Sequence, residues 1–315
     1  MKIAFVFPGQ GSQSIGMGKD LYENFAEARA VFDAADKAIG FPLSRICFEG
    51  PEDQLNSTKI TQPAILTTSI AALKVMETAG IKPSLVAGHS LGEYSALVAA
   101  GCLDFADAVR LVEKRGIFMQ EAVAPGAGSM VAILGLVREL VQEACRDASN
   151  EGVVAPANFN CPGQVVIAGE KKATEKAAEL AKGLGAKRVV PLAVSVPSHC
   201  PLMEPACHKL DTELRSVSIS EPSIPLVNNA EARMLSSANE IIPSLILQLK
   251  APLYWEDSIN LMAKRGITTF VEIGPGKVLS GLIRKINKDV TVINVEDAAS
   301  LKTAIDTLAG AASVS

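Results

Sequence analysis

Three features that mark unusual classes of protein are missing from this sequence. The six cysteines form no Cys-x-x-Cys pair, and a chain of 315 residues does not need disulfide bonds, so we expect reduced thiols. There is no excess of basic charge: the formal net charge of −4 argues against broad binding to nucleic acid or to an anionic membrane. No long low-complexity tract occurs, which excludes disordered, collagen-like and coiled-coil proteins.

The first residues lack the pattern of a signal peptide or of a membrane span. Lys2 is the one basic residue ahead of a short apolar run at 3–7, and Pro8 and Gly9 end that run. The run therefore predicts a first strand. Together with the reduced thiols, it leads us to expect a cytoplasmic protein.

Strand-like and helical runs alternate in the first and last parts of the chain, which predicts an α/β fold with a parallel sheet. Between residues 130 and 193 the order changes to strand, helix, two strands, helix and strand, which is typical of a ferredoxin-like α+β unit. The sequence thus predicts a large α/β-hydrolase-like domain, residues 1–125 and 196–315, with a small ferredoxin-like domain inserted at 126–195. We expect the substrate site in the cleft between the two domains.

A Gly-x-Ser-x-Gly pattern centred on Ser90 follows the strand-like run 84–87 and precedes a helical stretch. This context predicts a nucleophile elbow, in which Gly88 and Gly92 permit a sharp turn and a close approach of helix to strand. The Ser90 hydroxyl would then project above the sheet, and the backbone N–H of Leu91 would be free to bind an oxyanion. A chance match is the alternative, because the pattern is frequent, but the placement between strand and helix favours the elbow.

A serine nucleophile needs a base, and the chain contains three histidines. His89 adjoins Ser90, and neighbours at a tight turn point apart, so we expect it to pack beneath the elbow or to bind substrate. His208 lies in a helical surface pattern, where a solvated histidine is the ordinary interpretation. His199 lies in a proline-bounded loop just after the predicted insertion and is our candidate base, with a capping or core histidine as the alternative.

Arg115 is the most informative charged residue, because apolar residues recur at helical spacings from it in the predicted helix 105–120. A guanidinium that points inward needs an anionic partner. That partner is either a structural carboxylate or a carboxylate of the substrate. Arginine suits the second role, because its planar fork meets a carboxylate with two parallel hydrogen bonds.

The first turn, residues 7–13, is rich in glycine but does not match a nucleotide-binding loop. Ser14 stands where the third glycine of a Gly-x-Gly-x-x-Gly pattern would be, and no phosphate-binding Gly-Lys-Ser/Thr pattern occurs. Gln10, flanked by glycines at the carboxyl end of a predicted strand, can instead supply a second oxyanion-hole N–H. We accordingly expect no cofactor and no metal.

Together with several further runs, these residues resemble the malonyl-CoA:acyl carrier protein transacylase family, which loads malonyl units for bacterial fatty acid synthesis. The likeness extends over nearly the whole chain and is far more specific than the elbow alone. The runs that carry it are Phe7-Pro8-Gly9-Gln10-Gly11-Ser12-Gln13, Gly88-His89-Ser90-Leu91-Gly92-Glu93-Tyr94, Lys114-Arg115-Gly116, Asn160-Cys161-Pro162-Gly163-Gln164, Pro197-Ser198-His199, Gln248-Leu249 with Pro252 and Trp255, and Glu272-Ile273-Gly274-Pro275-Gly276.

The resemblance implies roles for the central residues. Ser90 would be the nucleophile, His199 the base, and Arg115 the clamp for the malonyl carboxylate. Gln248 matches a position whose amide or carbonyl accompanies the histidine, which would account for the missing acidic member of a triad.

The same resemblance, with the pattern around the elbow, gives the remaining candidates. Gln10 and Leu91 would supply the two oxyanion-hole N–H groups. We add His89 and Asn160 as substrate-binding candidates, and we count Gln248 with them.

The implied activity is transfer of a malonyl group from malonyl-CoA to acyl carrier protein by a discrete, monomeric enzyme. An esterase or thioesterase is the main alternative, because it shares the elbow and the base but passes the acyl group to water. A polyketide-type acyltransferase is a second alternative, which the free-standing length disfavours. A third is a non-catalytic module that docks a carrier protein.

Overall fold

A computed structural model of the chain describes residues 2–194 and 196–312, with the side chains of 310–312 left out. Met1, Ser195 and 313–315, which fall within the predicted domain ranges, lie outside the described residues. The strands are β1 (Ile3–Phe7), β2 (Leu85–Gly88), β3 (Gly128–Leu134), β4 (Val154–Cys161), β5 (Gln164–Glu170), β6 (Arg188–Pro191), β7 (Leu226–Val227), β8 (Met234–Leu235), β9 (Thr269–Ile273) and β10 (Thr291–Val295).

The α-helices lie between these strands and after the last of them. They are α1 (Lys19–Asn24), α2 (Ala26–Ile39), α3 (Leu43–Glu49), α4 (Glu52–Leu55), α5 (Thr58–Thr78), α6 (Gly92–Ala99), α7 (Phe105–Glu121), α8 (Arg138–Asp147), α9 (Lys171–Gly183), α10 (Glu204–Leu214), α11 (Ile241–Lys250), α12 (Trp255–Lys264), α13 (Val278–Ile286) and α14 (Ala298–Ala312). Short 3₁₀ helices occupy Ser149–Glu151, Pro201–Met203 and Ala238–Glu240.

The larger sheet has six strands in the order β10-β9-β1-β2-β7-β8. All neighbouring pairs are parallel except β7 with β8, so the predicted parallel sheet is found with one antiparallel edge strand. Strand β1 is apolar and buried at every position, because helices cover both faces of this sheet. Phe5 and Phe7 pack into one hydrophobic cluster, and Ala4 and Val6 pack into a second one on the opposite face.

The smaller sheet is antiparallel and has four strands in the order β4-β5-β3-β6. One face packs against α8 and α9 through Val131, Ile133 and Ile167. The other face contributes Met130 and Val166 to the cavity described below. The chain therefore combines a mainly parallel sheet with a separate antiparallel sheet, and the two meet at a cavity.

The predicted elements lie where the sequence indicated them, with boundaries shifted by a few residues. Strand β3 begins two residues before the predicted 130, because its pairing with β5 extends to Gly128 opposite Glu170. Strand β6 ends before residue 193, the predicted end of the small unit, because its pairing with β3 runs only from Arg188 to Pro191. Among the described residues, no helix is both long enough and apolar enough to cross a membrane.

Candidate active site

The turn between β2 and α6 has the geometry that the glycine spacing predicts. Ser90 lies in left-handed backbone, with φ of 52°. A Cβ atom at Gly88 would lie 1.9 Å from the carbonyl group of Gly92, and one at Gly92 would lie 2.0 Å from the carbonyl oxygen of Phe7. Glycine is therefore required at both positions, and the tight turn directs the Ser90 hydroxyl into the cavity.

His199 lies directly against this hydroxyl. Its Nε2 is 2.8 Å from the Ser90 Oγ, and its Nδ1 is 2.7 Å from the backbone carbonyl oxygen of Gln248. Because a carbonyl only accepts, Nδ1 carries the proton, and Nε2 presents a lone pair to the serine hydroxyl. Burial, and then the nearby charge of Arg115, lower the pKa of His199 to about 3, so the ring is neutral and able to accept a proton at neutral pH.

Arg115 points inward from α7, as its helical position predicts, and is 1% exposed. Its Nη1 donates to the side-chain oxygen of Gln62 at 2.8 Å. Its Nη2 donates to the Gln248 Oε1 at 3.0 Å and to the Ser90 Oγ at 3.2 Å. These acceptors are neutral amide and hydroxyl oxygens, so the cation is held at the Ser90 hydroxyl without a carboxylate hydrogen bond among the described residues.

Gln248 differs from our expectation, because it is fully buried behind the cavity instead of facing a substrate. Its Nε2 donates to the backbone oxygen of Ser90 and to the Glu93 Oε2, both at 2.9 Å. Its two oxygens serve the site as well, since the backbone one accepts from His199 and the side-chain one accepts from Arg115. Gln248 thus positions other groups of the site.

His89 and Asn160 lie together on the wall of the cavity. The His89 Nε2 is 2.9 Å from the Asn160 Oδ1, which makes this nitrogen the donor. The ring of Trp255 packs edge-on against His89 with ring centroids 5.5 Å apart. Burial lowers the pKa of His89, so a second neutral histidine lies beside the elbow.

Gln10 and Leu91 also line the cavity, next to Ser90. Leu91 directly precedes α6, where the first N–H groups of a helix have no carbonyl partner within the helix. The Gln10 side chain is anchored by a 3.4 Å contact from Nε2 to the Thr58 Oγ1. Both residues therefore line the same cavity as Ser90, and they stay candidates for oxyanion donors.

The cavity between the two sheets has a volume of about 630 Å³ and contains seven of the eight predicted site residues. These are Gln10, His89, Ser90, Leu91, Arg115, Asn160 and His199. A larger surface hollow of about 910 Å³ beside α3 contains none of them. Within residues 2–194 and 196–312, no group of three or more His, Cys, Asp or Glu side chains is arranged to hold a metal ion.

The sequence analysis assigned no role to three buried polar residues that contact the site. Glu93 accepts from Gln248, Gln62 accepts from Arg115, and the side chain of Asn229 accepts from the backbone N–H of Ser90 at 2.7 Å. The available signal was position, because Asn229 follows β7 at the carboxyl edge of the sheet, where binding sites collect. His208 is exposed on α10, as its surface pattern predicts.

This fold and site define an acyl transferase. A family model described as "Acyl transferase domain" matches residues 4–307, and the chain belongs to that family.

More particularly, the chain is similar to malonyl CoA-acyl carrier protein transacylases. The protein of that name from Bacillus subtilis is 51% identical over 308 residues, which cover 98% of this chain and 97% of the relative. The crystal structure of the Clostridium perfringens protein of the same name has a TM-score of 0.97 at 44% identity, with 100% of this chain and 99% of that one covered. A malonyl-transacylase solved in complex with its type II PKS acyl-carrier protein has a TM-score of 0.96 at 47% identity, with 98% and 100% covered. The resemblance found in the sequence is confirmed.

Proposed function

We propose that this chain transfers a malonyl group from malonyl-CoA to the phosphopantetheine thiol of acyl carrier protein, through a malonyl ester on Ser90, and so supplies fatty acid biosynthesis. The observation that carries the proposal is that one hydroxyl faces both a neutral base and a buried cation. The Ser90 Oγ lies 2.8 Å from the His199 Nε2 and 3.2 Å from the Arg115 Nη2. A nucleophile beside a buried guanidinium suits an acyl group that carries its own carboxylate.

In the first half-reaction, His199 takes the proton of the Ser90 hydroxyl as the oxygen attacks the thioester carbonyl carbon of malonyl-CoA. The backbone N–H groups of Gln10 and Leu91 stabilise the oxyanion that forms. The C–S bond then breaks, the CoA thiolate leaves and takes the proton from His199, and a malonyl ester remains on Ser90.

In the second half-reaction, the carrier-protein thiol gives its proton to His199, and the thiolate attacks the malonyl ester. The same two N–H groups stabilise the second oxyanion. The ester bond breaks, Ser90 recovers its proton from His199, and the malonyl thioester of the carrier protein is released. The Gln248 carbonyl keeps the imidazole in one tautomer throughout, the role that a carboxylate has in a Ser-His-Asp triad.

Arg115 provides the selectivity in this proposal. An acetyl group would leave the buried guanidinium without an anionic partner, and a site that loses its polar partner rejects the smaller substrate strongly. His89 and Asn160, hydrogen-bonded to each other on the wall of the cavity, are proposed to contact the substrate.

The test of transfer is intact mass spectrometry of the protein mixed with malonyl-CoA. We expect one malonyl group on Ser90 that persists in buffer and is discharged by phosphopantetheine-loaded carrier protein, but not by the carrier without that arm. Ser90→Ala should form no adduct. Release of free malonate at the same rate with and without carrier would identify a thioesterase, and failure to acylate with any acyl-CoA would favour a docking module.

The test of selectivity is Arg115→Ala, assayed with malonyl-CoA and acetyl-CoA in parallel. We expect kcat/KM for malonyl transfer to fall by about 100-fold or more, because a charged hydrogen-bond pair is lost, while the acetyl rate changes much less. Acetyl-CoA is the internal control for any general disturbance of the site. Unchanged preference for malonyl over acetyl would rule out the clamp.

The proposal extends to the domain organisation. The antiparallel strand order β4-β5-β3-β6, with α8 and α9 on one face, supports a ferredoxin-like unit. The elbow on a mainly parallel sheet supports a hydrolase-like large domain, residues 1–125 and 196–315, into which residues 126–195 are inserted. The separate hydrophobic cluster between the antiparallel sheet and its helices supports that division.

We place the proposed enzyme in the cytoplasm, where a reducing environment would maintain its cysteines, all six of which are free and buried thiols. The monomeric state stays a prediction.

A further inference from the structure

Asn229 is a buried residue that touches the nucleophile turn but has no part in the chemistry above. It follows β7 and is 1% exposed. Its Oδ1 accepts from the backbone N–H of Ser90 at 2.7 Å, and its Nδ2 donates to the backbone oxygen of Gly88 at 2.6 Å. One side-chain amide therefore bridges Gly88 and Ser90, the residues on either side of His89.

These two bonds continue the parallel ladder between β2 and β7. The register pairs Val86 with Leu226 and Ala87 with Val227, so two residues further on position 229 lies opposite position 89. In a parallel ladder, a residue on one strand hydrogen-bonds to two residues of the neighbouring strand. It bonds to the carbonyl of the residue that precedes its opposite number, and to the N–H of the residue that follows it. The Asn229 side chain makes both of those bonds, to Gly88 and to Ser90, and so extends the sheet to the elbow.

The backbone of Asn229 is itself held from two other directions. Its N–H donates to the Glu93 Oε2 at 3.0 Å, and its carbonyl accepts from the Tyr254 N–H at 2.8 Å. The same Glu93 oxygen accepts from the side chain of Gln248, whose carbonyl fixes the ring of His199. Asn229 is thus linked by hydrogen bonds to both Ser90 and His199, directly to the first and through Glu93 and Gln248 to the second.

We propose that Asn229 is a positioning residue, whose amide holds Ser90 in its left-handed conformation and so sets the direction of the Ser90 Oγ and of the adjacent Leu91 N–H. A residue other than glycine at φ of 52° keeps that conformation only where the surroundings enforce it. Asn229 acts through Ser90 and does not contact the substrate. This inference rests on the proposed function, because it concerns the same nucleophile.

The experiment compares Asn229→Ala with Asn228→Ala. Asn228 is a matched control, because it is equally buried and its side chain bonds Glu231, Ser244 and Arg233 but not the elbow. The readouts are kcat and KM for malonyl transfer, the single-turnover rate of Ser90 acylation, and the thermal unfolding midpoint.

We expect Asn229→Ala to lower kcat and the acylation rate by about 100-fold with KM changed less than about threefold, since small misplacements of reacting groups cost about that much. Asn228→Ala should keep kcat within about threefold of the wild-type value. We expect this even if its unfolding midpoint falls as far as the midpoint of Asn229→Ala. Equal losses of kcat in the two variants, or no loss in Asn229→Ala, would overturn the positioning role.

Asn229→Asp is a nearly isosteric second variant that carries the test if the alanine variant does not fold. It keeps the acceptor for the Ser90 N–H but loses the donor to Gly88, so we expect kcat to fall by about tenfold at unchanged KM. A kcat equal to that of Asn228→Ala would contradict the proposal. If the wild-type protein formed no malonyl ester on Ser90, the proposed function would fail and this inference with it, whereas normal acylation in both Asn229 variants would overturn the inference alone.

Discussion

The turn at 88–92 and the loop around His199 each bring one proposed catalytic side chain to the cavity, yet they are built in different ways. Both hold a residue other than glycine in left-handed backbone, Ser90 with φ of 52° and His199 with φ of 62°. The elbow obtains its sharp turn from its own strand, helix and glycines, and the Asn229 side chain adds two hydrogen bonds from across the sheet. The loop is held by α11, through the Leu249 carbonyl, which accepts from the His199 backbone N–H at 3.1 Å, and the Gln248 carbonyl, which accepts from the ring.

This difference explains why the conformation around Ser90 can be predicted from the sequence, whereas the contacts that hold His199 cannot. The glycines that permit the sharp turn lie within five consecutive residues, so their spacing predicts the turn, whereas the two bonds from Asn229 come from a distant part of the chain. The loop around His199 is held by the backbone carbonyl groups of Gln248 and Leu249, about fifty residues further along the chain. Every residue has such a carbonyl group, so these partners leave no pattern in the sequence. His199 could be chosen because histidine is scarce in this chain and because it lies in a proline-bounded loop just after the predicted insertion.

The largest expected effect tests the loop. His199→Ala should lower the rate of Ser90 acylation by about 10⁴-fold, or about 5.5 kcal/mol, because the serine hydroxyl loses its proton acceptor. His208→Ala, on an exposed surface of α10, is the control and should leave the rate unchanged. Single-turnover mass spectrometry measures both rates. A rate in His199→Ala close to the control would mean that another group is the base.

The next effect tests the elbow. Gly92→Ala would bring a Cβ atom to 2.0 Å from the Phe7 carbonyl oxygen, so α6 must move away from β1. We expect the free energy of unfolding to fall by at least about 3 kcal/mol, in the range of severe core and backbone disruptions.

The control for this change is Gly281→Ala in α13, where the added methyl group meets open space. That variant should be neutral or more stable by about 0.5–1 kcal/mol, since alanine favours a helix over glycine. Denaturant unfolding measures both changes. Similar stabilities of the two variants would show that the elbow tolerates separation from the sheet.

A smaller effect concerns pH. Because burial lowers the pKa of His199 to about 3, the ring stays neutral well below the ordinary histidine value of about 6.5. Transfer should therefore keep its kcat/KM, within about twofold, from about pH 8 down to about pH 5. A pH profile of malonyl transfer checks this, and half-maximal activity near pH 6.5 would be the contrary result.

The smallest effect concerns Glu93, which connects the elbow to the loop through Gln248. Burial raises its pKa to about 7, so the folded protein holds this proton more tightly than the unfolded chain. The stability it contributes is present below about pH 4.5 and is lost as the pH rises through about 7. Glu93→Gln removes this dependence, so its unfolding midpoint should rise relative to the wild-type protein over that interval; a constant difference would contradict the raised pKa.

Much of the fold and of the site could be predicted, because the relevant signals are local or compositional. The apolar run of β1 indicated a strand, and the helical spacing around Arg115 indicated its inward direction. What could not be predicted were side chains that bond to distant backbone. Asn229 reaches the elbow across the sheet, and Gln62 meets Arg115 from another helix, so neither leaves a pattern in its own neighbourhood.

We expected Gln248 among the substrate-binding residues, but it is buried behind the cavity. This difference also arises because its contacts are with residues distant in the sequence. A sequence indicates that a glutamine accompanies the histidine, but not which of its groups does so. Here the backbone carbonyl serves His199, which leaves the side-chain amide free to bridge Arg115 and Glu93. Only the direction of α11 decides between these arrangements.

The central place of β1 in the large sheet also has a consequence for biosynthesis. On one side it pairs with β2, but on the other it pairs with β9, with Ile3 opposite Thr269. While the ribosome makes the intervening residues, one edge of this apolar strand has no partner, and such edges promote aggregation. We therefore expect the nascent chain to depend on chaperones until β9 emerges, and pairings of such long sequence separation to make refolding slow.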